Sequence, residues 1–327
     1  MSIDRRTFLT ATCALMAMPH AGNANSANWS RAAPIPIKTQ EIYPAVHKGK
    51  LFVAGGIASR LGVPYFPDST FAYDPSADSW QVQPELPEAL HHVALVSDGD
   101  SLFGIGGFNG GYSHVWRMRD QVYRLQESEW VPHSTLPTAQ AEGVATVHNG
   151  RIHIVTGQQP KGEANSDRSD HTEGDLHWVL EDGKWQSLAP IPTPRNSATG
   201  GWIGDLLVVT GGRTARGNLS VTEIYDAKED RWHQAAPLPL PQAGTAGVVI
   251  DGALIVFGGE IFRPEAKVFA NVWRYDLAAD RWSALPDLPV PRHGLGAGVI
   301  GNKIYVVGGA TEPGGSGTSD ANEALEL

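Results

Sequence analysis

The feature that most restricts this chain is a segment that keeps returning. Residues 248–282 read VVIDGALIVFGGE, then a variable loop, then NVWRYDLAADRW. The pattern is a strand of small and apolar residues, a turn, an apolar strand ending in Gly258–Gly259, an alternating strand and a Trp. The second glycine of each copy falls at 56, 107, 157, 212, 259 and 309, a period of about fifty residues. Trp80, Trp130, Trp185, Trp232 and Trp282 follow in phase, and Trp29 precedes the first copy. A unit of this size cannot bury its apolar face alone, so the copies must pack into one body.

Within each copy the local signals are those of short strands. Gly 37 and Pro 23 suit many turns, and no window carries the 3.6-residue periodicity of an amphipathic helix. In the fifth copy, residues 245–250 are expected as the innermost strand, 253–257 as the second, 271–275 as the third and 282–285 as the outermost. Small residues such as Gly244, Ala246, Gly247, Gly294 and Gly296 fall where inner strands would crowd a common axis. The diglycine with its downstream Trp resembles the kelch family of β-propellers. That resemblance implies an all-β fold, a six-bladed kelch-type propeller over residues 28–327 in which each Trp wedges between sheets. Residues 29–33 look like an outermost strand without the rest of its blade, and 322–327 (NEALEL) look like a third strand at which the chain stops. The closing blade is therefore expected to join the N-terminal outermost strand to the C-terminal third strand, leaving no free sheet edge.

The first residues differ in kind. Arg5 and Arg6 precede a short apolar run ending near Met18, which resembles a twin-arginine export signal over 1–24, removed after Ala21 or Ala24. An ordinary secretory signal is the alternative; both imply an exported, periplasmic protein. The run is too short to anchor in a bilayer, so no membrane anchor is expected. Cys13, the only cysteine, lies inside this segment, leaving no thiol for a disulfide or for the cysteine-linked copper radical of the galactose oxidases. The formal net charge of −10 argues against nucleic acid as a partner.

The kelch resemblance implies that two sets of positions reach one face around the axis: those just after each diglycine, and those at the turn leading into each innermost strand. The first set is Ile57, Phe108, Gln158, Arg213, Glu260 and Ala310. The second begins at Thr39, Leu90, Gln140, Arg195, Gln242 and Arg292, and brings in Glu41, His91, His92, Glu142 and His293. Such a convergence of acid–base and cationic groups is the default site hypothesis. Arg195 and Arg292 occupy a common repeat position, where a purely structural role is the competing reading. Tyr65, Phe66, Tyr112 and Trp116 are loop aromatics able to stack on a sugar face or to cap the barrel.

Three functions are implied by resemblance. The exported sialic acid mutarotases, also six-bladed kelch propellers, work without a cofactor through a Glu and an Arg near the axis. On that pattern Glu260 or Glu142 moves the proton with help from His91 or His293. Arg213, Arg292 and Arg195 then hold an acidic sugar, alongside Glu41, Gln158, Trp116 and Tyr112. The sequence departs from that pattern: Arg213 stands where the family has its Glu, and Glu260 follows one blade later with Lys267 nearby. The second is a non-catalytic propeller binding a glycan or a protein, with a homodimer left open. Third, Glu163, Asp167 and His171 form an E-x-x-x-D-x-x-x-H pattern similar to the ferrous-iron signature of plant nitrile-specifier proteins, making Fe2+ the one cofactor to test.

Overall fold

In the computed structural model, residues 28–111 and 114–327 are described. The export signal expected over 1–24 lies outside them. Six four-stranded antiparallel sheets account for the repeat. In the fifth they are Ala246–Ile250, Ala253–Phe257, Val272–Asp276 and Arg281–Leu285, from the axis outwards and within a residue or two of expectation. The innermost strands are Ala45–His47, Ala94–Ser97, Val144–His148, Thr199–Ile203, Ala246–Ile250 and Gly296–Ile300. Each contacts the next, and the last contacts the first, so they form a closed ring.

Closure comes from the two ends of the chain. Asn28–Arg31 pairs antiparallel with Asn322–Glu326, in the register Asn28 to Glu326 through Arg31 to Glu323. That strand adds to Lys303–Val307 and Gly296–Ile300 to complete the sixth sheet.

Neighbouring sheets are held by one repeated device. In blade one, the Trp80 indole N–H donates to Ala33 O at 2.8 Å, while Ala33 N–H donates to Asp78 Oδ1 at 2.8 Å. Tyr73 donates its hydroxyl to the same Asp78 oxygen. Blades four and five repeat this with Trp232, Ala189, Asp230 and Tyr225, and with Trp282, Ala236, Asp280 and Tyr275. Trp29 and Trp130 keep the indole bond, to Pro286 O and Pro84 O. Blades two, three and six carry Leu125, Leu180 and Leu325 in the tyrosine position, and in blade three the Trp185 indole also has no partner among the described residues. The tryptophans are thus interblade wedges that also carry one hydrogen bond each in five of six blades.

Blade three departs again at its seam with blade four. His153 and His177, both buried, sit 3.0 Å apart (Nδ1 to Nε2), and Trp202 stacks on His148. The positions equivalent to His153 hold Phe52, Phe103, Val208, Ile255 and Tyr305, all apolar or aromatic. Burial, then the neighbouring imidazole, lowers His153 to about 3, and burial lowers His177 to about 4. A buried base with a depressed pKa is neutral in the fold, whereas the unfolded chain takes up its proton near pH 6.5. Its contribution is whole above that pH and is lost as the pH falls toward 3–4.

Two outcomes follow for stability. Urea unfolding should show a lower midpoint at pH 5 than at pH 7, with a shallower dependence in His153→Ile; equal slopes would remove the histidine seam as the cause. Deleting residues 322–327 should abolish the cooperative thermal transition or lower it steeply, because both Asn28–Arg31 and Lys303–Val307 would then expose an edge. An unchanged transition would mean that the ring does not depend on this strand.

Candidate functional site

The loop face is built by the backbone before any side chain is considered. In all six blades a residue of the turn three to five positions ahead of the innermost strand pairs with the residue after the second glycine: Gln40 with Ile57, His91 with Phe108, Ala141 with Gln158, Asn196 with Arg213, Ala243 with Glu260, His293 with Ala310. The next residue in each case is left-handed: Glu41, His92, Glu142, Ser197, Gly244 and Gly294, with φ from 54 to 65. Hydrogen bonds from backbone amides run from one to another around the axis. His92 N–H donates to Glu41 O, Glu41 to Gly294, Gly294 to Gly244, Gly244 to Ser197, and Ser197 to Glu142, at 2.7–3.1 Å. Glycine adopts this conformation freely, whereas another residue gives up about 1 kcal/mol or more. Four blades accept that cost and thereby aim a side chain at the axis. Strain of this kind is a pointer to function.

The side chains so aimed meet. Glu41, Glu142 and Glu260 lie on the floor of a cavity of about 350 Å³ that Trp116, Arg168 and Phe262 border above. Glu41 also lines a smaller axial cavity of about 100 Å³ among the small residues of the innermost strands, so it stands in the partition between the two. Arg213 Nη1 donates to Glu260 Oε1 at 2.6 Å, and its Nη2 lies 3.9 Å from Glu142 Oε2. Ser197 donates to Glu142 Oε2 at 2.7 Å, and Gly314 N–H to Glu260 Oε2 at 2.8 Å.

Two imidazoles complete the floor, and their bonds fix where protons sit. His91 Nε2 is 2.6 Å from the Val115 carbonyl, which can only accept, so this nitrogen carries hydrogen. Burial, then the neighbouring His92, holds the His91 pKa well below the usual value, so its Nδ1 is an acceptor. The 2.7 Å contact to His92 Nδ1 is then a bond donated by His92. His92 Nε2 is left facing Glu41 Oε2 at 3.1 Å and Glu142 Oε1 at 3.5 Å. His293 repeats the arrangement: Nε2 donates to Glu312 O at 2.9 Å, and Nδ1 faces Glu260 and Glu41 at 3.5 and 3.6 Å. Burial opposes charge on Glu41, but His92, His293 and Arg213 outweigh it and hold the carboxyl far below its usual range. Burial likewise opposes charge on Arg213, and Glu142, Glu260 and Glu41 outweigh it and raise its pKa.

Several sequence expectations need correction against this geometry. Arg195 and Arg292 are fully buried and spent: Arg195 on Glu223 at 2.5 Å and on the Thr193 and Val209 carbonyls, Arg292 on Glu323 at 2.5 Å and on Gly308 O. Gln242 at the same repeat position donates to Gly258 O, so the position ties strands together whatever donor it holds. His91 lies behind the floor, stacked between Phe66 and Phe108, and His92 takes the place at the carboxylates. Glu163, Asp167 and His171 do not converge on a metal: the two acids are exposed while His171 is buried against Phe108, and among the described residues no three His, Cys, Asp or Glu could hold one. Tyr112 lies outside the described residues. Glu41, Glu142, Glu260, Arg213, Gln158 and Trp116 do line the cavity, and His293 backs it. Sequence reasoning passed over Arg168 and Phe262. Phe262 had a signal, being two residues after Glu260; Arg168 had none, since it returns from a long loop.

The KLHDC2/KLHL20/DRC7 Kelch-repeats domain matches residues 175–309, and the Kelch motif matches 44–87. Kelch-like protein terF of Aspergillus terreus is 26% identical over 218 residues, 63% of this chain and 46% of that protein. Kelch-like protein 41b of Danio rerio is 33% identical over 213 residues, 63% of this chain and 33% of its own. Kelch-like protein 40 of Mus musculus is 28% identical over 163 residues, 49% of this chain and 25% of its own. The chain therefore spans a quarter to a half of these relatives.

The Arg213–Glu260 pair sets the stability of the floor. Arg213→Met should lower unfolding free energy by about 3–5 kcal/mol, because it leaves carboxylates without their fixed counterion. Adding Glu260→Gln should restore part of that loss, and urea unfolding of the four proteins would show it; additive losses would mean the two side chains are uncoupled.

Proposed function

This chain belongs to the kelch-repeat family of β-propellers, and on that premise we propose that it is a non-catalytic binding propeller that docks a protein partner on its loop face. The observation that carries the reading is apolar surface where a solitary propeller would keep polar loops. Leu61 is 98% and Val63 65% exposed at the tip of a hairpin formed by Ile57–Arg60 and Val63–Tyr65. Leu61 itself is left-handed, with φ 51, so the chain accepts strain to hold a leucine in water. Phe262, 46% exposed, stands at the mouth of the axial cavity on the same side. Such residues on one face mark interaction sites.

The mutarotase reading draws less support. It needs a guanidinium free to hold a sugar carboxylate and an uncommitted acid–base group. Arg195 and Arg292 are buried in ion pairs, Arg213 is clasped by Glu260, and each floor carboxylate already has a basic neighbour. Export to the periplasm stays a proposal of its own, tested by whether the N-terminus of protein recovered from the producing cell begins after Ala21 or Ala24.

The test is a paired capture. Wild-type protein and the Leu61→Asp/Val63→Asp variant are used as baits, and each captured protein is then purified and titrated against both. A partner whose affinity falls at least tenfold in the variant supports docking through this hairpin. Equal affinity for the two baits, selective binding on a glycan array, or acceleration of sialic or uronic acid anomerisation would each overturn it. Light scattering shows whether the partner is a second copy of this chain.

A further inference from the structure

We propose that the cavity of about 350 Å³ on the loop face is a second, independent site, one that takes a small dipolar molecule of the amino-acid class, with its ammonium group on the carboxylate floor and its carboxylate at Arg168. This goes beyond partner docking and does not rest on it.

The floor is rich in acceptors and short of donors. Three carboxylates supply six oxygens, and the firm donors to them are Arg213, Ser197 and the Gly314 amide. His92 Nε2 and His293 Nδ1 face them at 3.1–3.6 Å, and each donates only if its imidazole takes a second proton. Among the described residues His293 Nδ1 has no hydrogen-bond partner, although His293 is 0% exposed. With both imidazoles protonated the floor is neutral; with both unprotonated it is doubly negative. In neither state does it offer an uncommitted cation, so a ligand carboxylate or phosphate has no seat there. An ammonium group brings three donors and a positive charge, which is what the unfilled oxygens can accept.

The rim has the opposite character. The Arg168 guanidinium carbon lies over the Trp116 ring, 3.6 Å from its centroid. Among the described residues no carboxylate pairs with it, and it borders the cavity. The loop that carries it is fastened to blade two, where Asn165 accepts from Met118 N–H at 3.1 Å and donates to Met118 O at 3.0 Å. Arg168 is thus an anchored, unpaired cation at the mouth above an acidic floor. A ligand matching both ends carries a positive and a negative group. About 350 Å³ admits a molecule the size of an amino acid or a dipeptide, with its side chain between Trp116 and Phe262.

The experiment is a titration of the full chain, by calorimetry and thermal shift, with the twenty free amino acids. Each is paired with its Nα-acetyl form, which lacks the ammonium charge, and its amide, which lacks the carboxylate; neutral monosaccharides form a further arm. The expected result is at least one amino acid that binds tenfold or more tightly than both its acetylated and its amide forms. Arg168→Met should bring that amino acid down to the affinity of its amide while leaving the amide unchanged. Glu260→Gln should weaken acid and amide alike, and Leu61→Asp/Val63→Asp should change neither, which separates this site from partner docking. Arg168 is exposed, so its variant remains informative even if Glu260→Gln fails to fold. No binding across the panel, equal binding of the acetylated form, or tighter binding of a neutral sugar would overturn the proposal.

Discussion

A circle of sheets is stable only if no sheet is left with an open edge, and here that condition rests on two short segments from opposite ends of the chain. Asn28–Arg31 and Asn322–Glu326 exchange backbone bonds across nearly the whole length of the sequence. A strand edge in water is satisfied by solvent and gains little, but an open blade would leave the apolar faces of its neighbours uncovered. Closure therefore makes the other interblade contacts mutually supporting. The Trp–Asp–Tyr clasp adds to it at three seams, each time with one residue of the preceding blade both donating and accepting.

Closure also creates the site. Six equivalent turns brought to one axis place six left-handed residues side by side, linked by backbone hydrogen bonds. Where the residue is Gly244 or Gly294 the axis is merely lined. Where it is Glu41, His92, Glu142 or Ser197, a polar side chain is forced toward its neighbours at a backbone cost that packing elsewhere must offset. The groups so gathered hold one another in place: Arg213 is held in its charged form by three carboxylates, and Glu41 in its charged form by two imidazoles and Arg213. The floor is consequently rigid and preformed, as suits selection of a complementary group by binding.

Blade three is where the repeat yields most. It replaces the first glycine of the pair with Thr156, still left-handed at φ 55, leaves the Trp185 indole without a partner among the described residues, and buries two neutral imidazoles beside blade four. Its long loop supplies the cation at the cavity mouth. Departure from the repeat and contribution to the site go together here, because a loop free of the repeat's packing duties can be shaped by other demands.

The amino-acid sequence by itself determined the number of blades, the order of strands, the phase of the tryptophans and the meeting of the termini. All of these follow from periodicity in residue type, which survives without knowledge of any contact. Through its resemblance to kelch propellers it also implied that the turn before each innermost strand and the residue after each diglycine share a face. It could not separate Arg213, which faces the cavity, from Arg195 and Arg292, which vanish into ion pairs with Glu223 and Glu323. Nor could it choose His92 over its neighbour His91. Those outcomes depend on which way a side chain leaves a backbone whose φ has changed sign, and on what already fills the space beside it. Only the tertiary structure decides both, since each is set by residues tens or hundreds of positions away.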